Sequence, residues 1–127
     1  MTLKCRGVRG ATTADSNTKE AVVEATQELI TAIVEANDIE TDDVAAVWFT
    51  TTADLTAEFP AVAARLMGWE YVALLCGHEM NVPDAAKLVI RILMLVNTEK
   101  GPKELSHVYL KSAQLLRARG VEDGVEE

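Results

Sequence analysis

The chain has 127 residues, of which 49% are hydrophobic, and its formal net charge is −8. A chain of this length forms one domain that buries roughly two-thirds of its extended surface. The negative charge argues against an extended nucleic-acid surface, because phosphate contacts need a basic stripe. No segment has the length and apolarity of a membrane span, and the first ten residues lack the apolar stretch of a secretory signal. We therefore expect a single cytoplasmic domain without a nucleic-acid or membrane partner.

Hydrophobic periodicity and turn residues predict five strands and two helices. In chain order these are a strand over 3–10, a helix from Asn17 with Glu20 as its capping partner, a strand over 44–52, a helix that Pro60 opens and Gly68 ends, and strands over 70–76, 86–97 and 106–110. The mostly polar segment 77–85 is predicted to be a loop. The order β-α-β-α-β-β-β favours an α+β domain in which both helices cover one face of a mixed five-stranded sheet.

Arg91 lies in the middle of the apolar run LVIRILMLV at 88–96. A permanent charge inside an apolar run is strongly disfavoured, because an unpaired buried ion is costly and arginine keeps its proton. In a strand, Arg91 shares one face with Val89, Leu93 and Leu95. We therefore expect an anionic partner for Arg91, either a protein carboxylate at an interface or a bound ligand.

A sheet with helices on one face leaves its other face without cover. At this chain length, the 49% hydrophobic content indicates that another copy of the chain supplies that cover. This predicts a symmetric homo-oligomer. Such an interface places Arg91 in a cleft where strands meet a neighbouring subunit.

Three other kinds of chemistry have little support in the sequence. Cys76, His78 and Glu79 are close together in CGHE, but a thiol nucleophile needs a base directed at its sulfur, which a shared loop does not supply. Zinc catalysis needs three or four ligands, whereas the chain has two histidines and no paired-cysteine motif. The glycines of RGVRGATT do not have the spacing of a phosphate-binding loop. We therefore expect no metal site and no cofactor.

Five separated segments occur in the order and spacing of one known family. They are RGVRGATT at 6–13, FPAVAAR at 59–65, GWEYVALLC at 68–76, HEMNVPDAAKLVIR at 78–91 and HVYL at 107–110. In these segments the chain resembles the AroH-class, Bacillus-type chorismate mutases. The resemblance implies a single domain over 1–117 followed by a flexible acidic tail over 118–127. It also implies a homotrimer that forms a pseudo-α/β-barrel, with active sites in the clefts between neighbouring subunits.

The reaction implied by the resemblance is the Claisen rearrangement of chorismate to prephenate, a step toward phenylalanine and tyrosine, without cofactor or covalent intermediate. Arg91 matches the family's central arginine, which donates to the ether oxygen, where negative charge grows in the transition state. Glu79 matches the glutamate that accepts a hydrogen bond from the ring hydroxyl. The matched substrate-binding positions are Arg9 and Tyr109 at the carboxylates, Cys76 at the hydroxyl end, Phe59 and Leu116 as apolar walls, and Arg65 near the mouth.

Other interpretations stay open on the residues alone, because an ion pair, a surface charge or a packing role fits each of these positions. Two features depart from the family pattern: Val62 replaces a basic residue that some members carry one turn before Arg65, and LLRARGVEDGVEE lacks an expected proline. Two other functions also stay open. One is a Rid-type imine deaminase on a similar trimer, although that family's C-terminal arginine signature is absent. The other is a binding module that keeps the pocket without turnover.

Overall fold

The computed structural model describes residues 2–118. Its main elements are β1 (Lys4–Thr13), α1 (Lys19–Asn37), β2 (Val44–Thr51), α2 (Ala61–Leu66), β3 (Ala73–His78), β4 (Val89–Thr98) and β5 (Val108–Tyr109). Short 3-10 helices span Thr41–Asp43, Pro102–Glu104 and Lys111–Ala118. The predicted order of five strands and two helices is confirmed. Residues 119–127 of the predicted acidic tail lie outside the described residues.

The strands form one mixed sheet in the order β3-β2-β4-β1-β5. The central strand β4 is antiparallel to both of its neighbours, β1 and β2. The outer pairs, β2 with β3 and β1 with β5, are parallel. The apolar run that contains Arg91 is therefore the middle strand of the sheet, which explains why it is the most continuously apolar segment of the chain.

Side chains of β4 alternate between the two faces of the sheet. Ile90, Ile92, Met94 and Val96 are fully buried on one face. On the same face, Leu29, Ile30 and Ile33 of α1 and Ala61 and Ala64 of α2 pack with Val8, Phe49, Ile92 and Met94 in one core cluster. Both helices therefore cover the same face, as the sequence predicts. No helix among residues 2–118 is long and apolar enough to cross a membrane.

The first strand continues three residues beyond its predicted end at Gly10. Gly10 is paired within the sheet, and a Cβ atom added to it would lie only 2.6 Å from Cδ1 of Ile33 and 3.1 Å from Cδ1 of Leu29. The glycine therefore marks the close approach of α1 to β1, and the prediction that it ends the strand is wrong.

The first helix is capped by Thr18, and the predicted start at Asn17 is wrong by two residues. Thr18 Oγ1 accepts a hydrogen bond from the backbone N–H of Ala21 at 3.1 Å. The Asn17 side chain instead accepts two backbone N–H bonds, from Thr56 and Ala57, at 2.9 Å each. Asn17 therefore joins the start of α1 to the segment that follows β2.

The third, fourth and fifth strands differ from their predicted bounds, and β4 spans Val89–Thr98 rather than the predicted 86–97. β3 begins at Ala73 because Gly68, at φ +88°, turns the chain after α2 and Trp69 is buried in the core. β5 contains only Val108 and Tyr109, because the side chain of Asn37 takes both backbone groups of Ser106. The 3-10 helix that follows β5 has no counterpart in the predicted elements.

Candidate active site

A row of neighbouring residues crosses four strands on the face of the sheet opposite the helices. Thr50 of β2 is paired with Arg91 of β4, Arg91 is paired with Ala11 of β1, and Ala11 is paired with Tyr109 of β5. Adjacent strands lie about 4.8 Å apart, and the small side chain of Ala11 separates the arginine from the tyrosine in this row. Arg9 lies two residues before Ala11 on β1 and therefore points to the same face.

These residues line a cleft of about 440 Å³. Five of the eight site residues predicted from the sequence are brought together there: Arg9, Glu79, Arg91, Tyr109 and Leu116. Strand β1 supplies Arg9, β4 supplies Arg91 and β5 supplies Tyr109. Glu79 follows the end of β3, and Leu116 belongs to the 3-10 helix after β5. A cleft of this volume is in the range of small-molecule sites.

Arg91 has an anionic partner within the protein, as its place in the apolar run predicts, and that partner is Glu79. The Nε atom of Arg91 lies 3.5 Å from Oε2 of Glu79. The same oxygen accepts a hydrogen bond from Oγ1 of Thr50 at 2.7 Å. The Arg91 side chain is 48% exposed, so it is not the buried ion that the apolar run suggests. Its guanidinium instead borders the open cleft.

The cleft carries more positive than negative charge, although the chain as a whole is acidic. It contains the guanidiniums of Arg9 and Arg91 and the carboxylate of Glu79. Among the residues that the structure describes, no carboxylate forms an ion pair with Arg9. The backbone N–H of Arg9 donates to Nδ1 of His107 at 3.0 Å, which ties β1 to the segment before β5. This arrangement favours the binding of an anion that carries more than one acceptor group.

The other three predicted site residues lie elsewhere on the protomer. Phe59 and Cys76 line a second, smaller cleft of about 220 Å³ beside the start of α2. Phe59 is exposed to 66% of its maximum, which is unusual for a large apolar side chain. Arg65 is exposed on α2 and lines a groove with Trp69. The predicted site residues are therefore divided among three separate depressions of one protomer.

Cys76 is close enough to Arg65 for the two groups to influence each other electrostatically. Desolvation by burial raises the pKa of the Cys76 thiol above its usual value of 9.0, and this outweighs opposing contributions from the backbone of Ala61 and the charge of Arg65. The thiol is therefore protonated at neutral pH. A protonated thiol can donate a weak hydrogen bond and is a poor nucleophile.

Among the residues that line the Arg91 cleft but are absent from the predicted site are Thr50 and Trp48. Both belong to the strand VAAVWFTT, and the alternation of that strand places them on one face. Their proximity to Arg91 and Leu93 depends on the pairing of β2 with β4, which the sequence does not specify.

Among residues 2–118, no group of three histidine, cysteine or carboxylate side chains is arranged to hold a metal ion.

The α+β sheet thus has, on the face opposite its helices, a cleft lined by two arginines and one glutamate. Comparison with known proteins shows which family this chain belongs to. The profile of chorismate mutase type I matches residues 5–119. Chorismate mutase AroH of Thermus thermophilus is 47% identical over 113 residues, which cover 88% of this chain and 93% of that protein. Chorismate mutase AroH of Bacillus subtilis strain 168 is 41% identical over 113 residues, which cover 88% of this chain and 89% of the Bacillus protein.

A solved structure agrees with the sequence relatives. The chorismate mutase from Clostridium thermocellum superposes with a TM-score of 0.86 at 45% sequence identity, covering 87% of this chain and 98% of that one. This chain belongs to the chorismate mutase type I family. It is an AroH-class chorismate mutase, an isomerase, and the resemblance stated from its sequence segments is confirmed.

Proposed function

We propose that the protein rearranges chorismate to prephenate in the cleft that contains Arg91. The observation that carries this proposal is the convergence of Arg9, Glu79, Arg91 and Tyr109 on one 440 Å³ space. Chorismate is a dianion with two carboxylates, an ether oxygen and a ring hydroxyl. The cleft offers two guanidiniums, a phenol and one carboxylate, which complement those groups in number and charge.

Arg91 has the main catalytic role in this proposal. As the bond between the ether oxygen and the ring lengthens, negative charge grows on that oxygen, so a fixed guanidinium beside it stabilises the transition state more than the substrate. The fork of Arg91 also reaches a substrate carboxylate, which an ammonium cannot do from the same position. Glu79 accepts a hydrogen bond from the ring hydroxyl and places a negative charge beside the ring, where positive charge develops.

The remaining groups hold the flexible substrate in a reactive conformation. Arg9 and Tyr109 bind a carboxylate, and Leu116 forms an apolar wall. A pericyclic rearrangement transfers no proton to the protein, so the reaction needs no general base. Fixing the enolpyruvyl chain over the ring lowers the entropic part of the barrier. The high pKa of Cys76 suits a role as a neutral wall or donor beside the hydroxyl end.

We further propose that the active protein is a homotrimer in which each active site joins two protomers. The division of the predicted residues supports this, because the Phe59 and Cys76 cleft is separate from the Arg91 cleft on one protomer. An apolar row provides further support. Leu75, Trp48 and Leu93 are direct neighbours across β3, β2 and β4, and they are 59%, 40% and 39% exposed. Cover from a neighbouring copy would bury this row and close the pseudo-α/β-barrel.

The cytoplasm is the proposed location. Cys5 is exposed and Cys76 is partly buried, and both are free thiols. Exposed free thiols are typical of proteins in a reducing compartment.

Two experiments test these proposals. Purified protein is added to chorismate, the loss of its ultraviolet absorbance is followed, and the product is identified as prephenate; decay at the uncatalysed rate by folded protein contradicts the proposed reaction. Binding of prephenate without conversion of chorismate would instead favour a binding module. Sedimentation at micromolar concentration tests the assembly, where a trimer is expected and a monomer alone contradicts it.

A further inference from the structure

We propose that Thr50 is a positioning residue that holds the carboxylate of Glu79 in its catalytic orientation. The inference rests on the proposed role of Glu79 and adds a residue that the sequence does not single out. Thr50 acts through Glu79 and does not itself need to touch the substrate.

The contact between the two side chains is short and charge-assisted. Oγ1 of Thr50 donates to Oε2 of Glu79 at 2.7 Å in a partly buried position. Hydroxyl-to-carboxylate bonds of this length are stronger than those between neutral groups. The Nε atom of Arg91 approaches the same oxygen at 3.5 Å, beyond the usual length of an N–H···O bond. Thr50 therefore provides the shorter and more directional of the two contacts.

The backbone of Glu79 is anchored, so the torsions of its side chain are the main freedom that remains. The N–H of Glu79 donates to the carbonyl oxygen of Thr51 at 2.8 Å, which anchors the residue beside the end of β2. Beyond its Cα, a glutamate side chain has several rotatable bonds and loses substantial entropy when ordered. Threonine is stiff because it is branched at Cβ. A rigid donor thus fixes a flexible acceptor.

The position of Thr50 in the sheet suits this role. Its neighbours in the sheet are Arg91 on β4 and Gly77 on β3. Gly77 has no side chain that competes for the hydroxyl, and the space at its Cβ position is open. The hydroxyl of Thr50 is therefore directed to Glu79, two residues beyond Gly77. With Oε2 engaged by Thr50 and Arg91, Oε1 is the oxygen assigned to the ring hydroxyl of chorismate.

The test compares a variant that removes the hydroxyl with one that keeps it. Thr50→Val preserves the shape and suits a strand, and Thr50→Ser retains the donor. We expect Thr50→Val to lower kcat/KM on the order of tenfold, as for loss of a hydrogen bond to a charged group, and Thr50→Ser to remain within about threefold of wild type. Each protein is checked for fold by circular dichroism and thermal unfolding.

The same substitutions are then made in a Glu79→Ala background, which separates positioning from other roles. If Thr50 acts through Glu79, Thr50→Val causes no further loss there, so the two substitutions are strongly non-additive. An equal loss in both backgrounds, or full activity of Thr50→Val alone, overturns the inference. Full activity of Glu79→Ala alone instead refutes the proposed role of Glu79, and the two failures are therefore distinguishable.

Discussion

Replacement of Arg91 by alanine is expected to reduce turnover strongly while leaving the fold intact. The Arg91 side chain is 48% exposed, and its ion pair with Glu79 spans 3.5 Å. An ion pair with that much solvent contributes at most about 1 kcal/mol to stability, so the thermal midpoint should shift by no more than about 4 °C. Loss of a donor to a developing anion costs about 3–4 kcal/mol of transition-state stabilisation, which corresponds to a reduction in kcat of at least about 100-fold.

The assay is the initial rate of chorismate loss at saturating substrate, with thermal unfolding followed by circular dichroism on the same sample. Arg91→Lys is the matched control, because it keeps the charge and loses the planar fork. We expect both variants to fold and both to have low kcat, with the lysine variant between alanine and wild type. An Arg91→Ala protein with kcat within about threefold of wild type contradicts the argument from charge development.

Three further predictions concern packing and ionisation. Gly10→Ala should destabilise the protein by about 1–3 kcal/mol in thermal or denaturant unfolding, because the new Cβ would lie 2.6 Å from Ile33. Thr12→Val should raise the free energy of unfolding by about 1 kcal/mol, since Thr12 Oγ1 is buried without a hydrogen-bond partner among the described residues. Burial raises the pKa of the Cys76 thiol in the folded state, so above pH 9.0 unfolding releases its proton and the free energy of unfolding falls as pH rises. Cys76→Ala should weaken that fall when unfolding is measured at several pH values. An unchanged pH dependence contradicts the assignment.

Much of the fold could be predicted because the sheet has one buried face. The period-two burial of β4 and the helical stripe of α1 both follow from apolar residues that meet in one core. The errors occur where a residue has a tertiary role that resembles a local signal. Gly10 allows close helix packing but resembles a strand end, and Asn17 binds a distant loop but resembles a helix cap. Such roles depend on contacts between segments that are remote in sequence.

The site was predictable to the extent that its residues belong to recognisable segments. Arg91 is conspicuous because it interrupts an apolar strand, and Arg9 lies between two glycines. Thr50 has no such signal, since threonine is common in strands rich in β-branched and aromatic residues. Its contact with Glu79 depends on the register of β2 against β3 and on the turn that follows β3. Side-chain positioning of this kind is a property of the folded sheet and leaves no local pattern in the sequence.

The central claim is that the Arg91 cleft of one protomer and the Phe59 cleft of its neighbour form one active site. It is tested most directly by mixing two inactive variants. Arg91→Ala disables the first cleft, and Phe59→Asp, at an exposed position, places a carboxylate in the second, where it repels the dianion. Differently tagged chains are co-expressed, and trimers that contain both variants are purified and assayed with chorismate. We predict recovery of about a third of the wild-type sites, because a trimer that contains both variants has one interface at which both complementary halves are intact. An active Phe59→Asp homotrimer, or mixed trimers without recovered activity, would contradict the claim.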